Sequence, residues 1–296
     1  MFSGFSAFPL TPLKNGDIDE TAFTGLLQII TAAEVDSIGV IGSTGNYAYL
    51  TRAQRYRATE IAVELAGSIP VMSSIGAVST DEVIRLANDA QKAGVKGVMM
   101  APVSYQKLTS EEVFGFYERV TGELSVPLYI YDNPATTGFS FDDELLMRLS
   151  FLPNVSSVKL GFLETDLSLA TQRIGKLKAS FCEGVTLGIS GDGRAVRGLM
   201  AGCDVYYSAL GGLYPRELLE MAHSVLRGDV QRAIDLNALF EPIWAYFSQY
   251  GSLRTIASIA ELRGLVQSPC LPSPLLSLTG EDRTMLAQII SKLELE

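Results

Sequence analysis

Short apolar runs bounded by Gly, Pro, Asn and Ser alternate along this chain with longer segments whose apolar residues recur at helical spacing. The strand-like runs cover residues 4–7, 37–41, 71–75, 97–101, 127–131, 155–159, 185–189 and 205–208. Between them, residues 22–33, 53–66, 81–93 and 111–123 read as helices, and Thr80-Asp81 and Thr109-Ser110-Glu111-Glu112 supply capping oxygens and early carboxylates. Gly94 and Gly202 fall where such helices should stop. Regular alternation demands a parallel sheet with helices outside it, because right-handed crossovers return every strand in the same direction.

Eight units of this kind close as an α/β fold, a (β/α)8 TIM barrel. An open doubly wound sheet is the alternative, but no Gly-x-Gly-x-x-Gly follows the first strand. Beyond the eighth strand come helical patterns at 217–226, 230–250, 253–266 and 281–293, more helix than one barrel unit uses. A Pro-rich turn at 268–274 sets off the last of them. The expected division is a barrel over residues 1–225 and a C-terminal helical extension over 226–296, packed on the barrel or on a neighbouring subunit.

A formal net charge of -10 gives a field that repels phosphate backbones and anionic lipids, so nucleic acid and membranes are poor partners. An anionic substrate then requires a locally positive pocket. The first ten residues hold no basic segment followed by an apolar core, and no stretch could span a bilayer, so the expected location is the cytoplasm. Cys182, Cys203 and Cys270 are widely spaced and read as buried free thiols. The single histidine, His223, lies in a helical pattern, which rules out a multi-histidine metal site and leaves a His-dependent triad resting on this residue alone.

In a barrel of this kind the C-terminal ends of the strands converge on one mouth. Ile41-Gly42-Ser43-Thr44-Gly45-Asn46, Pro102-Val103-Ser104-Tyr105, Tyr131-Asp132-Asn133-Pro134 and Lys159 stand at such ends. Alternation along residues 155–159 places Val155, Ser157 and Lys159 on one face. If that face is interior, desolvation lowers the lysine pKa and yields a neutral amine able to attack a carbonyl; the competing reading is a buried structural ion pair. Tyr131 could shuttle protons for that amine, or be a core tyrosine with a satisfied hydroxyl. The turn Gly42-Ser43-Thr44-Gly45 could offer N–H groups to a carboxylate and a Thr44 hydroxyl to a proton relay, or be tight for steric reasons alone.

Taken in order, Phe8-Pro9-Leu10-Thr11-Pro12, Gly42-Ser43-Thr44-Gly45, Tyr131-Asp132-Asn133-Pro134 with Thr137-Gly138, Val158-Lys159, Ser190-Gly191-Asp192 and Gly211-Gly212-Leu213-Tyr214-Pro215 span most of the chain. Their order and spacing resemble the dihydrodipicolinate synthase and N-acetylneuraminate lyase family of pyruvate-dependent class I aldolases. The resemblance implies that Lys159 forms a Schiff base, that Tyr131 transfers protons, and that Ser43 and Thr44 hold the oxo acid's carboxylate, with Thr44 also in the relay. It implies that Tyr105 is a relay tyrosine placed in a neighbouring subunit's site, given a one-residue insertion in 102–105. Gly45, Thr136, Gly191 and Tyr207 join them as substrate-binding candidates. A homo-oligomer, dimer or tetramer, is expected, with neither metal nor organic cofactor.

Two departures bear on substrate. Thr136 stands where dihydrodipicolinate synthases carry an arginine for the second substrate's carboxylate, and Asn46 stands at the family's usual glutamate. Residues 135–138 and 211–213 look more like the sugar-acid aldolases. The expected activity is reversible carbon-carbon cleavage of a 2-oxo acid, pyruvate-forming, with an aldehyde partner and possible 2-keto-3-deoxy sugar-acid substrates. The alternatives are dihydrodipicolinate synthase activity, dehydration of a sugar acid through the same iminium, and a barrel that only binds a small acid.

Overall fold

The computed structural model describes residues 3–293. Eight parallel strands, β1 (Gly4–Ala7), β2 (Ser37–Val40), β3 (Val71–Ser74), β4 (Gly97–Met100), β5 (Leu128–Tyr131), β6 (Val155–Leu160), β7 (Thr186–Ser190) and β8 (Val205–Ser208), close into a barrel in sequence order. Ring closure pairs Gly4 with Val205 and Ser6 with Ser37. A small hairpin, Leu13–Lys14 with Asp17–Ile18, follows β1 and is absent from the sequence expectation.

The barrel helices are α1 (Glu20–Ala32), α2 (Arg52–Leu65), α3 (Thr80–Lys92), α4 (Ser110–Thr121), the short α5 (Pro134–Thr137), α6 (Asp143–Ser150), α7 (Leu167–Ser180), α8 (Ala195–Met200) and α9 (Pro215–Leu226). Thr109 and Glu112 form a reciprocal capping box at the start of α4. For α3 the cap is Ser79, one residue before the expected Thr80-Asp81 start. Gly94 and Gly202 adopt φ of 91° and 104° just past α3 and α8, the left-handed turn that ends a helix.

Several strands stop one residue short of the apolar run that announced them. Ile41 turns to φ 46°, which breaks the ladder of β2. In contrast β6 runs on to Leu160, because the Asp132 amide donates to the Lys159 carbonyl at 3.0 Å. The barrel interior holds its own apolar cluster, with Phe8, Met72, Met99, Tyr129, Tyr131 and Tyr207 among its members, while the larger core lies between strands and helices. Gly39 and Gly188 make room for it: a Cβ at the first would collide with the Phe8 ring and at the second with Tyr207.

The C-terminal helices are α10 (Val230–Tyr250), α11 (Ser252–Leu262) and α12 (Gly280–Lys292). The third pattern was expected to reach residue 266, but Gly264 turns left-handed at φ 68° and ends α11 early. A buried carboxylate fastens this region: Glu261 accepts hydrogen bonds from Ser268, Ser277, the Cys270 amide and Arg283, the last at 2.7 Å. No helix among the described residues is long and apolar enough to cross a membrane. Cys203 and Cys270 are buried free thiols, as expected, but Cys182 is only half-buried.

Candidate active site

Inward and outward positions alternate along β6 so that Ser157 and Lys159 enter the barrel while Val158 and Leu160 join the outer core. Lys159 is 5 % exposed. Its Nζ sits 4.0 Å from the ring centre of Phe8, 4.3 Å from that of Tyr131 and 5.4 Å from that of Tyr207. It makes no ion pair among the described residues, and the structural alternative raised by the sequence falls with that. Burial brings its pKa down from 10.5 to about 7, against the opposing pull of the Asp192 carboxylate. Near neutral pH a large fraction is therefore the uncharged amine.

Tyr131 ends the adjacent strand, and its phenol faces the lysine from within the mouth. Asn133 Nδ2 donates to that phenol oxygen at 2.9 Å and reaches Ser43 Oγ at 3.4 Å. Burial raises the Tyr131 pKa, while hydrogen bonds with Ser43 and Ser190 offset part of the rise. It is a protonated phenol with partners on three sides, the arrangement a proton shuttle requires.

The turn after β2 is bracketed by Ile41 and Asn46, both left-handed at φ 46° and 61°. Gly45 is required inside it, since a Cβ there would lie 2.7 Å from Ile41 Cα. The Asn46 and Tyr47 amides close the turn onto the Ser43 and Gly42 carbonyls at 3.3 and 3.4 Å. The amides of Ser43, Thr44 and Gly45 find no acceptor among the described residues. Three consecutive backbone donors without an acceptor, beside a buried Thr44, are the kind of group a carboxylate satisfies.

A family model described as the dihydrodipicolinate synthetase family matches residues 1–293. The chain belongs to that family. A 4-hydroxy-tetrahydrodipicolinate synthase from Phenylobacterium zucineum is 30 % identical over 79 % of this chain and 78 % of its own length. One from Persephonella marina is 27 % identical over 98 % of both chains. A solved dihydrodipicolinate synthase from Agrobacterium tumefaciens is 40 % identical, superposes with a TM-score of 0.94, and the match covers 99 % of this chain and 98 % of that one. This is the pyruvate-dependent class I aldolase family that the motif order pointed to, and the chain is a lyase of that type.

The remaining candidates divide by position. Tyr207 is buried inside the barrel, but its hydroxyl is 2.9 Å from Ser157 Oγ, turned away from the open mouth. Of this substrate-binding candidate it is the ring that lies near Lys159, with Nζ 5.4 Å from its centre. Thr136, on α5, is exposed, and its hydroxyl leans back to the Asn133 carbonyl at 3.4 Å. Tyr105 is 91 % exposed on the loop after β4, outside this chain's own cluster. Asn46 is buried, donates to the Thr11 carbonyl at 3.1 Å, and holds the first and second strand loops together as a neutral group.

Three side chains were legible only as members of motifs and not as parts of the site. Phe8 packs against Nζ. Asn133 orients the phenol. Asp192 is buried and accepts from Tyr206 at 2.7 Å, from Ser208 at 2.5 Å and from the Leu210 amide at 3.2 Å, which ties the loops after β7 and β8 together. Gly191, at φ 90°, turns the chain into that loop. Arg194 had no motif to mark it. His223 lies far from this cluster, in α9, with Nε2 at 2.8 Å from Asp36 Oδ2 beside a cavity of about 620 Å³ that includes the start of β1. Among the described residues no group of His, Cys, Asp and Glu is placed to hold a metal ion.

Proposed function

We propose that Lys159 captures the ketone of pyruvate or a related 2-oxo acid as a Schiff base, and that the enzyme makes and breaks the adjacent carbon-carbon bond with an aldehyde partner. The observation that carries this reading is the buried, unpaired amine with a pKa of about 7 beside the Tyr131 phenol. The free amides of Ser43, Thr44 and Gly45 receive the acid's carboxylate. Neutral Lys159 adds to C2, and the phenol of Tyr131, with the Thr44 hydroxyl, delivers the proton with which the C2 oxygen leaves as water.

The iminium nitrogen then accepts the electron pair of the C3–C4 bond. An enamine forms on the pyruvate fragment while a C4 hydroxyl loses its proton, to the Tyr131 side, and becomes the aldehyde. Protonation at C3 and hydrolysis return pyruvate and free lysine. In the reverse direction the enamine adds to the aldehyde. The substrate class best suited to the mouth is a 2-keto-3-deoxy sugar acid, because the neutral, exposed Thr136 cannot make the bidentate contact that an arginine makes with a carboxylate. The enzyme acts as a cytoplasmic homo-oligomer, dimer or tetramer, in which the exposed Tyr105 enters a neighbour's site.

A second reading, condensation of pyruvate with aspartate semialdehyde, is favoured by the activity for which the relatives are named. The two are separated by assay: pyruvate release from a panel of 2-keto-3-deoxy sugar acids supports the cleavage reading, and consumption of the semialdehyde with no such release supports synthesis. Loss of water without a cleaved fragment would mark a dehydratase, and binding without turnover a passive barrel. Lys159→Ala should abolish every one of these reactions; undiminished turnover in that variant contradicts the mechanism.

A further inference from the structure

The loop after β7 carries a cation that makes a single hydrogen bond among the described residues. Arg194 ends the 3-10 turn Asp192–Arg194 and is half-buried. One of its donors, on Nη1, is spent on the Gly161 carbonyl at 2.9 Å, two residues past Lys159. The other side of the guanidinium packs against Gly191, where a Cβ would collide with it. It makes no ion pair among the described residues, and the nearby Asp192 is already committed to Tyr206, Ser208 and the Leu210 amide.

We infer that Arg194 determines specificity by holding a second carboxylate, at the end of the substrate distant from Lys159. The inference rests on the Schiff-base reading above and narrows its substrate class: 2-keto-3-deoxy sugar acids that carry a distal carboxylate, held from the rim between β6 and β7 and not from position 136.

Position supports this first. Gly161 follows the lysine strand and Gly191 follows the next one, so the guanidinium stands at the rim between β6 and β7, within electrostatic reach of Tyr131. Gly193 lies against Trp244 of α10, so the C-terminal helices buttress the loop that presents it. Chemistry supports it second. A guanidinium has five N–H donors and remains charged, and burial together with Arg197 disfavours that charge here, so an anionic ligand would relieve it. Charge supports it third. A chain of net charge -10 needs a local cation to admit a dianion, and Thr136 provides none. The iminium that forms at Lys159 is matched by the first carboxylate, so a second carboxylate needs a cation of its own, and Arg194 supplies one at this rim.

The test uses adduct formation and needs no knowledge of the natural substrate. The protein and its Arg194→Gln and Arg194→Lys variants are titrated with pyruvate, 2-oxoadipate and 2-oxohexanoate, with borohydride trapping and intact mass as the readout. The unmodified protein should half-saturate at lower 2-oxoadipate than 2-oxohexanoate. Arg194→Gln should weaken 2-oxoadipate roughly 10- to 100-fold, the usual worth of charge-assisted hydrogen bonds, while pyruvate is unaffected. Arg194→Lys should fall between.

Equal half-saturation by the two six-carbon acids in the unmodified protein overturns the inference. So does an equal loss for pyruvate and 2-oxoadipate in Arg194→Gln, which would assign Arg194 to holding the Gly161 carbonyl. Absence of any pyruvate adduct in the unmodified protein defeats the Schiff-base reading itself, and this inference with it.

Discussion

Tyr131 and Lys159 are register partners on β5 and β6, and the lysine nitrogen lies 4.3 Å from the centre of the tyrosine ring. An irregularity one turn of the ladder below creates that pairing: Leu128 faces Val155, but Tyr129 faces Ser157, so Ser156 is skipped. Without the skip Tyr131 would face Val158, whose side chain belongs to the outer core. A one-residue slip reverses the face that every later side chain presents. The bulge therefore brings the phenol and the amine into the same cavity.

Lys159 sets the first prediction. Its folded pKa is about 7 against 10.5 for the free side chain, so the neutral nucleophile accumulates as pH rises through about 7. The rate of pyruvate trapping should rise between pH 5 and pH 8 with its inflection near 7, where an ordinary lysine would still be inert. An inflection near 10 would count against the burial argument.

The same depressed pKa acts on stability. Between about 7 and 10.5 the unfolded chain holds a proton on this lysine that the folded chain has released. Stability lost to the buried charge is therefore greatest below pH 7 and is recovered as pH rises towards 10.5. Lys159→Met should form no adduct yet be more stable at pH 7 by about 1–4 kcal/mol, as when other buried charges give way to apolar side chains. Chemical denaturation of the two proteins at pH 6 and pH 9.5 checks both signs: the gain should shrink at the higher pH.

Tyr131→Phe removes the oxygen that accepts from Asn133 at 2.9 Å while leaving the ring against Nζ. Turnover should fall about 10²–10⁴-fold, the usual contribution of a positioned acid or base. Slow borohydride trapping of pyruvate should persist, because the amine remains. Single-turnover kinetics would separate these two effects, and full activity in the variant would remove Tyr131 from the mechanism.

Asp192→Asn tests the loop clasp and the field together. The carboxylate accepts from two hydroxyls and from loop amides, so loss of its charge should destabilise the fold by about 1–3 kcal/mol. Asp192 also holds the Lys159 pKa up against burial. The inflection of the trapping profile should accordingly move to lower pH in the variant, a shift that a purely structural role would not produce.

Gly45→Ala places a Cβ 2.7 Å from the backbone of Ile41. The turn that presents the free amides must open to admit it, so the half-saturating pyruvate concentration should rise. A titration of adduct yield against pyruvate measures this, and unchanged half-saturation would argue against the turn as the carboxylate cradle.

Much of the barrel is legible because periodicity and strand count act over many residues. β1 and β8 match their expected bounds, and α10 spans residues 230–250 as expected. Lys159 is legible too, since its face follows from alternation with Ser157. The bulge between Leu128 and Tyr129 is not, because nothing in the apolar pattern distinguishes a skipped serine from a paired one. Tyr207 shows the same limit: it stands in the last strand-like run, while the direction of its hydroxyl depends on Ser157, fifty positions away. Arg194 carries no local signature at all. Its placement depends on the Gly161 carbonyl, brought near only when the barrel closes.

The most direct measurement is incubation of the protein with pyruvate and sodium borohydride, followed by intact mass and peptide mapping. A single reduced pyruvyl adduct is expected on the peptide that contains Lys159. An unmodified protein, or an adduct on another lysine, would contradict Schiff-base chemistry at Lys159.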